Sequence, residues 1–424
     1  MGELRPKTNG LAAQTARSGL IAALDVGSSK IACVIGRADS GGLKVIGSSV
    51  HESRGVRAGA VTSLELAEDS IRETVEVAER LADNRIQDVI LSVNCGQPKS
   101  IAARAERGLG GALISDAHLR EVIGEGKRAC REEGYEAIQA APCGYAVDQS
   151  RGVRDPRGMF CERLGVSVHA VAVRSGPLQN LRLAVERCHL TIGRQIYAPY
   201  ASALSTLAPD EMSLGSTLID MGAGVTSIAI FMDDALVHVD SVPIGGAHVT
   251  SDIARMFSTP LGAAERIKTL YGSALGDIEN GTDMIEVPQM GEEGEEAGQR
   301  IKRSLLTRVI QSRVEEILTH VRDRLRDKGF DVAAGRRAVL TGGACQLAGV
   351  RELAGRILNK QMRMARPQTF PGLAAATAGP AYSTVLGMLI AGATSAPEAL
   401  DPYAGTEVKQ QKRGLRMLAG SLFG

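Results

Sequence analysis

The chain has 424 residues, 44% of them apolar, with a net charge of +1 and no tryptophan. That length buries more than one core, so two or more domains are expected. Near-neutral charge and an aromatic content of only 3% give neither a basic footprint nor a stacking surface, which argues against a nucleic-acid partner.

Residues 1–19 are polar, lack the apolar core of a secretion signal, and read as a disordered leader. No stretch is long and apolar enough to span a bilayer. From Leu20 to Val50 the pattern is strand, tight turn, strand and, after Gly41 and Gly42, a third strand. The turn follows Asp25 and carries Gly27, Ser28, Ser29 and Lys30 before the apolar run Ile31 to Ile35. An acid ending a buried strand is costly unless it holds something. A hydrated metal is one such load, and bare turn amides can approach a phosphate. Taken singly, the pattern is equally that of an ordinary glycine hairpin.

Val61 to Asp83 has helical spacing, with a start at Thr62, Ser63 and Glu65. Asp88 to Val93 is a short buried strand. The texture changes over residues 87–169, where a helix over Asp116 to Glu133 and strands at Cys143 to Asp148 and Val166 to Val173 suggest an inserted subdomain. A helix at Gly176 to Cys188, a strand at Leu190 to Ile196 and the small-residue connector Ala198 to Leu207 follow.

Thr217 to Phe231 then repeats the opening design: Asp220, a corner of Gly222, Ala223 and Gly224, and Thr226 leading a second strand. Asp25 pairs with Asp220 and Gly27 with Gly222. Two such hairpins suggest related halves facing one phosphate chain from opposite sides. A strand at Ala235 to Val242 leads to a second glycine corner, Gly245 and Gly246, and a helix from about Val249. The helix Ser258 to Leu270 carries Glu265 and Lys268, one turn apart. Glu279 to Gln299, rich in glutamate and glycine, reads as a solvated loop. Arg300 to Lys328 is a long amphipathic helix with an apolar stripe at Leu305, Val309, Ile310, Val314, Ile317, Leu318, Val321 and Leu325. Ala338 to Val350 is a strand, then Gly342, Gly343 and Ala344, then a helix, where bare backbone can underlie a base or sugar.

After residue 391 comes a linker, 392–408, and a basic, apolar tail, 409–424. Lys409, Lys412, Arg413 and Arg416 recur at i, i+3, i+4 and i+7 beside Leu415, Leu418, Leu422 and Phe423. This suits a helix lying in a membrane interface, with a frayed basic terminus as the plain alternative. Weak burial and modest charge attraction per tail would require many tails for stable attachment. The seven cysteines form no CxxC pair, so reduced thiols are expected rather than a zinc site or disulfides.

The order of these elements resembles the actin, Hsp70 and sugar-kinase superfamily. Ser53 to Glu65 (SRGVRAGAVTSLE), Pro142 to Gln149 (PCGYAVDQ), Val249 to Ala254 (VTSDIA), Val339 to Val350 (VLTGGACQLAGV) and Tyr382 to Leu389 (YSTVLGML) are similar to the FtsA family within it. The resemblance implies an α/β, actin-like two-lobed fold of duplicated ribonuclease-H-like domains, with an inserted subdomain in the first lobe. The first lobe would span 20–86 and 170–197, and the second 198–255 and 330–391, with a small subdomain at 256–329.

It also implies ATP and magnesium. Gly27, Ser28, Ser29 and Lys30 on one side, and Gly222, Ala223, Gly224 and Thr226 on the other, would meet the phosphates. Gly342, Gly343 and Ala344 would lie under the adenosine. Glu265 and Lys268 would contact ribose and base, or form only a surface ion pair. Asp25 would hold hydrated Mg2+, and Asp220 would orient water for at most slow hydrolysis. Implied partners are the C-terminal peptide of the tubulin-like FtsZ, further copies of the chain in a head-to-tail filament, anionic inner-membrane lipid and later division proteins. Arg308 and Arg313 are candidate contacts for the FtsZ peptide or plain solvated charges. A soluble phosphotransferase of the sugar-kinase class is the alternative reading.

Overall fold

The computed structural model describes residues 19–276, 283–291 and 298–394. In chain order the first half holds β1 (Gly19–Val26), β2 (Lys30–Asp39), β3 (Gly42–Glu52), the short pair β4 (Val56–Arg57) and β5 (Ala60–Val61), α1 (Leu64–Ala82) and β6 (Asp88–Val93). Then come β7 (Lys99–Leu113), α2 (Asp116–Ala129), β8 (Tyr135–Val147), β9 (Ser150–Val153), β10 (Phe160–Arg174), α3 (Ser175–Glu186) and β11 (Thr191–Tyr197). The second half holds α4 (Ala198–Thr206), α5 (Pro209–Leu214), β12 (Ser216–Met221), β13 (Thr226–Met232), β14 (Ala235–Val242), α6 (Gly246–Phe257) and α7 (Leu261–Tyr271). It ends with β15 (Met284–Pro288), β16 (Gly298–Lys302), α8 (Arg303–Asp327), α9 (Phe330–Ala333), β17 (Arg337–Thr341), α10 (Val350–Leu358), β18 (Gln361–Met364) and α11 (Ser383–Ala393).

The duplication is visible in the sheets. The first runs β3-β2-β1-β6-β11 and the second β14-β13-β12-β17-β18, each an antiparallel meander continued by two parallel strands. Even the hairpin register repeats: Asp25 faces Ala32 as Asp220 faces Ser227. The lobes meet at α4 and α11. A Cβ on Gly387 would sit 1.7 Å from the Ala201 carbonyl oxygen, so these helices cross backbone against backbone.

The structure departs from the sequence pattern at four places. β6 pairs in parallel with β1 and belongs to the first-lobe sheet, while the inserted sheet, β7-β10-β8-β9, begins only at Lys99 and runs through Arg174. The boundaries expected at 87 and 169 therefore move inward past Val93 and outward to 174. The stretch read as a loop, 279–299, contains β15 and the start of β16. Ile285, Val287 and Ile301 bury into the second-lobe core, and this short alternation was hidden among acids and glycines. The stripe of α8 starts at Leu306, fully buried, because Leu305 faces out at 37% exposure. Finally, α6 begins at Gly246 rather than near Val249.

Candidate nucleotide site

Both acid-glycine turns are built alike. Gly27 N–H donates to the Lys30 carbonyl (3.0 Å), and Gly222 N–H to the Val225 carbonyl (2.9 Å). A Cβ at either glycine would meet that same oxygen at 2.8 or 2.9 Å, so only glycine closes the turn this tightly. The second turn has a brace of its own. Gly246 and Ala247 at the start of α6 donate to the carbonyls of Gly222 and Ala223, each at 2.9 Å.

The two turns face one cavity of about 660 Å³. Its walls include Asp25, Gly27, Ser28, Ser29 and Lys30 from the first lobe, Asp220, Gly222, Ala223 and Gly224 from the second, and Gly342, Gly343 and Ala344 beyond. Glu265 and Lys268 line it too. Lys268 Nζ bonds Glu265 Oε2 (2.7 Å), Thr250 Oγ1 (2.9 Å) and the Gly246 carbonyl (3.2 Å), while Thr250 donates to Glu265. The pair is thus tied to the start of α6 as well as to itself. Gly342 has φ +86°, and a Cβ there would lie 2.5 Å from Asp220 Oδ1. At Gly343 the nearest atom to a Cβ is 3.9 Å away, which leaves open space over the backbone.

The acids are anchored from residues that sequence reasoning missed. Ser92 Oγ on β6 donates to Asp25 Oδ1 (2.6 Å), and Ser202 Oγ on α4 to Asp220 Oδ2 (2.9 Å). Ser202 also bonds Thr384 Oγ1 on α11 (2.9 Å), so both connector helices hold Asp220. A lone serine in the apolar strand DVILSV and another in the small-residue connector were the only sequence signals for them. Burial raises the pKa of Asp25, against the opposing pull of Ser92 and Lys30. Burial likewise pushes Asp220 up to about 6; the Ser202 hydrogen bond opposes this and the Asp25 charge adds to it.

Two desolvated carboxylates on facing lobes, one lifting the other, form a donor set that a hard divalent cation would relieve. Among the described residues no cluster of three metal-ligating side chains occurs. Such a cation would complete its shell with water and phosphate oxygens, as magnesium does.

Two expected residues sit otherwise. Thr226 is fully buried behind its turn and donates to the Ile244 carbonyl (2.8 Å), away from the cavity walls. Lys30 lines the cavity, but its ammonium donates to the Ala381 carbonyl (2.5 Å) and lies 3.7 Å from the Tyr382 ring centroid. The two expected arginines of α8, Arg308 and Arg313, are not brought to one site. Arg313 pairs with Asp252 (2.5 Å) and Glu316 (2.6 Å) beside one surface cavity, and Arg308 lines another. The tail residues Lys412, Arg413, Leu415, Arg416, Leu418, Leu422 and Phe423 lie outside the described residues.

Two family models match: "Cell division protein FtsA" over residues 217–387, and "SHS2 domain inserted in FTSA" over 95–172, which coincides closely with the β7–β10 sheet. The Agrobacterium fabrum cell division protein FtsA is 39% identical over 385 residues, covering 88% of this chain and 87% of the relative. The chain belongs to the FtsA family. The Escherichia coli K12 FtsA is 32% identical over 381 residues, covering 87% of this chain and 89% of that protein. Solved structures share the architecture at low identity. A PilM-PilN type IV pilus biogenesis complex matches with TM-score 0.63 at 16% identity, covering 88% of this chain and 98% of that one. MreB5 of Spiroplasma citri bound to ADP matches with TM-score 0.53 at 12% identity, covering 88% and 95%. The fold is the two-lobed actin-like one, with the insertion characteristic of FtsA in the first lobe.

Proposed function

We propose that this FtsA-family chain is an ATP-dependent assembly switch that polymerises on the inner membrane, anchors the FtsZ ring there and recruits later division proteins. The observation that carries the reading is the pair of matched turns facing one cavity, with the open backbone at Gly343 as a further wall. The turn amides suit phosphates and Gly343 suits a base or sugar. Asp25 would hold hydrated magnesium, which spreads charge from the phosphates. Asp220 would orient water, and its burial and crowding suit slow turnover better than rapid catalysis. ATP then acts by joining the lobes, and loss of the terminal phosphate frees one side.

Among the described residues no helix is long and apolar enough to cross a membrane. Attachment would fall to the tail, residues 409–424, whose basic and apolar residues suit anionic lipid. Head-to-tail contacts would multiply weak tails into stable attachment. An acidic FtsZ peptide would dock near α8. Arg313 is already charge-paired there, whereas Arg308 is exposed and makes no ion pair among the described residues. The test is pelleting with anionic liposomes and purified FtsZ. Deleting residues 410–424 should abolish pelleting while ATP binding survives, and FtsZ lacking its C-terminal peptide should stay in the supernatant. Undiminished pelleting of the truncated chain would refute the tail assignment.

A further inference from the structure

We infer that Asn94 reads the terminal phosphate of the nucleotide, its side-chain amide oriented across the cleft by Ser227. The inference rests on the nucleotide reading above and names a residue that reading did not use. Asn94 follows the last residue of β6, next to β1, and lines the same cavity as Asp25, Lys30 and Asp220. The carboxyl ends of parallel strands are where α/β sheets place ligand-binding groups.

Its geometry is specific. Ser227 Oγ, on β13 of the second lobe, donates to Asn94 Oδ1 at 2.9 Å. Tyr197, fully buried and held neutral by burial, donates to the Asp240 carbonyl of that same lobe (3.5 Å). With Oδ1 committed to Ser227, the amide nitrogen Nδ2 is the group left to meet a ligand. Among the described residues it makes no hydrogen bond. Asn94 is half-buried and lines the cavity, where an NH2 calls for an acceptor, and Nδ2 supplies two donors.

The surroundings place Asn94 where the two turns meet. A Cβ on Gly59 would fall 2.4 Å from the Asn94 carbonyl oxygen, and Gly59 N–H donates to Ser28 Oγ (2.9 Å). On the other side, a Cβ on Gly224 would fall 2.7 Å from Ser28 Oγ and 2.8 Å from Ala58 N. Asn94, Ser28 and Gly224 therefore belong to one knot where the phosphate turns of both lobes touch. Donors to phosphate oxygens at this knot would be filled by a triphosphate and left empty by a diphosphate. The amide is also anchored to both lobes, so filling it favours the closed arrangement.

The test separates a donor role from a mere link. Asn94→Asp keeps an acceptor for Ser227 but replaces the NH2 donors with a negative charge. Affinities of the full chain for Mg-ATP and Mg-ADP are measured by titration calorimetry, with thermal unfolding as the fold control. The expected result is a loss of ATP affinity of about tenfold or more, the scale of one hydrogen bond to a charged group, with ADP affinity changed less than about threefold. Equal losses for both nucleotides, or none for either, overturn the inference. Should Asn94→Asp fail to fold, Ser227→Ala carries the test. It leaves the amide unoriented and should cost about threefold in ATP affinity alone, and an unchanged ATP-to-ADP ratio overturns the inference. A wild-type chain that binds neither nucleotide overturns the nucleotide reading and this inference together.

Discussion

The two acid-glycine hairpins share strand order, register and turn hydrogen bond, yet their surroundings differ. Around Asp25 the turn offers side chains, Ser28, Ser29 and Lys30, and the acid is braced by one serine from the neighbouring strand β6. Around Asp220 the turn offers only Gly222, Ala223 and Gly224. The acid there is held by Ser202, which is itself bonded to α11, and it packs so close to Gly342 that a Cβ there would meet it. Duplication supplied one scaffold twice. The first copy presents adaptable polar groups, and the second presents fixed backbone and a carboxylate wired to the helices on which the lobes cross. An effect at Asp220 is thus better placed to reach lobe orientation than an effect at Asp25.

The sharpest way to break this contrast is at Gly342. Alanine there meets Asp220 Oδ1 and the Met221 carbonyl at 2.5 Å with φ at +86°, and Asp220, anchored to Ser202, has little room to retreat. Gly342→Ala should cost roughly 3 kcal/mol or more. Gly343→Ala, with its nearest neighbour 3.9 Å away, should unfold near the wild-type temperature and weaken ATP binding by filling the open space. Thermal unfolding of the pair decides it, and a Gly342→Ala chain as stable as its neighbour would remove the crowding from the account of Asp220.

The next effect is one of pH. Asp220 has a folded value of about 6 against an ordinary 3.8, so the folded state holds its proton more tightly. The resulting penalty is absent below about pH 4, grows as pH rises through the folded value, and is complete above it. Asp220→Asn should therefore gain stability over the wild type at pH 7.5, by at most about 2–3 kcal/mol, with no gain at pH 4. The same variant should also slow ATP hydrolysis, because Asp220 would orient the attacking water, while magnesium-dependent ATP binding through Asp25 persists. Stability curves for the two chains that run parallel from pH 4 to 8 would show that Asp220 is not strained by its burial.

How much of this was legible in the sequence follows from range. The hairpins, α8 and the Gly342 corner are local patterns, so their periodicity and turn chemistry gave them away. The braces are not local: Ser92 reaches Asp25 across 67 residues and Thr384 reaches Ser202 across 182. No spacing rule connects such pairs before the sheets are assembled. β6 is legible as a strand, but its sheet is not, for the same reason: only pairing with β1 decides it. The early start of α6 is masked because Gly245 and Gly246 look like a loop, whereas here bare backbone is what lets the helix start bond to the second acid-glycine turn.

The smallest expected effect tests the one turn residue whose role changed. In the hairpin registers Thr226 faces Met221 as Ile31 faces Val26, so Thr226→Val makes the second hairpin apolar where the first already is. The hydroxyl it removes donates to the Ile244 carbonyl and so ties the turn to the corner leading into α6. Losing that bond should cost about 1 kcal/mol of stability, seen as a shifted unfolding midpoint, while ATP affinity stays within about threefold. The opposite pattern, unchanged stability with ATP affinity lost about tenfold or more, would return Thr226 to the phosphates. The two hairpins would then differ in ligand contact at this position, and the corner at Gly245 would stand without the Thr226 brace.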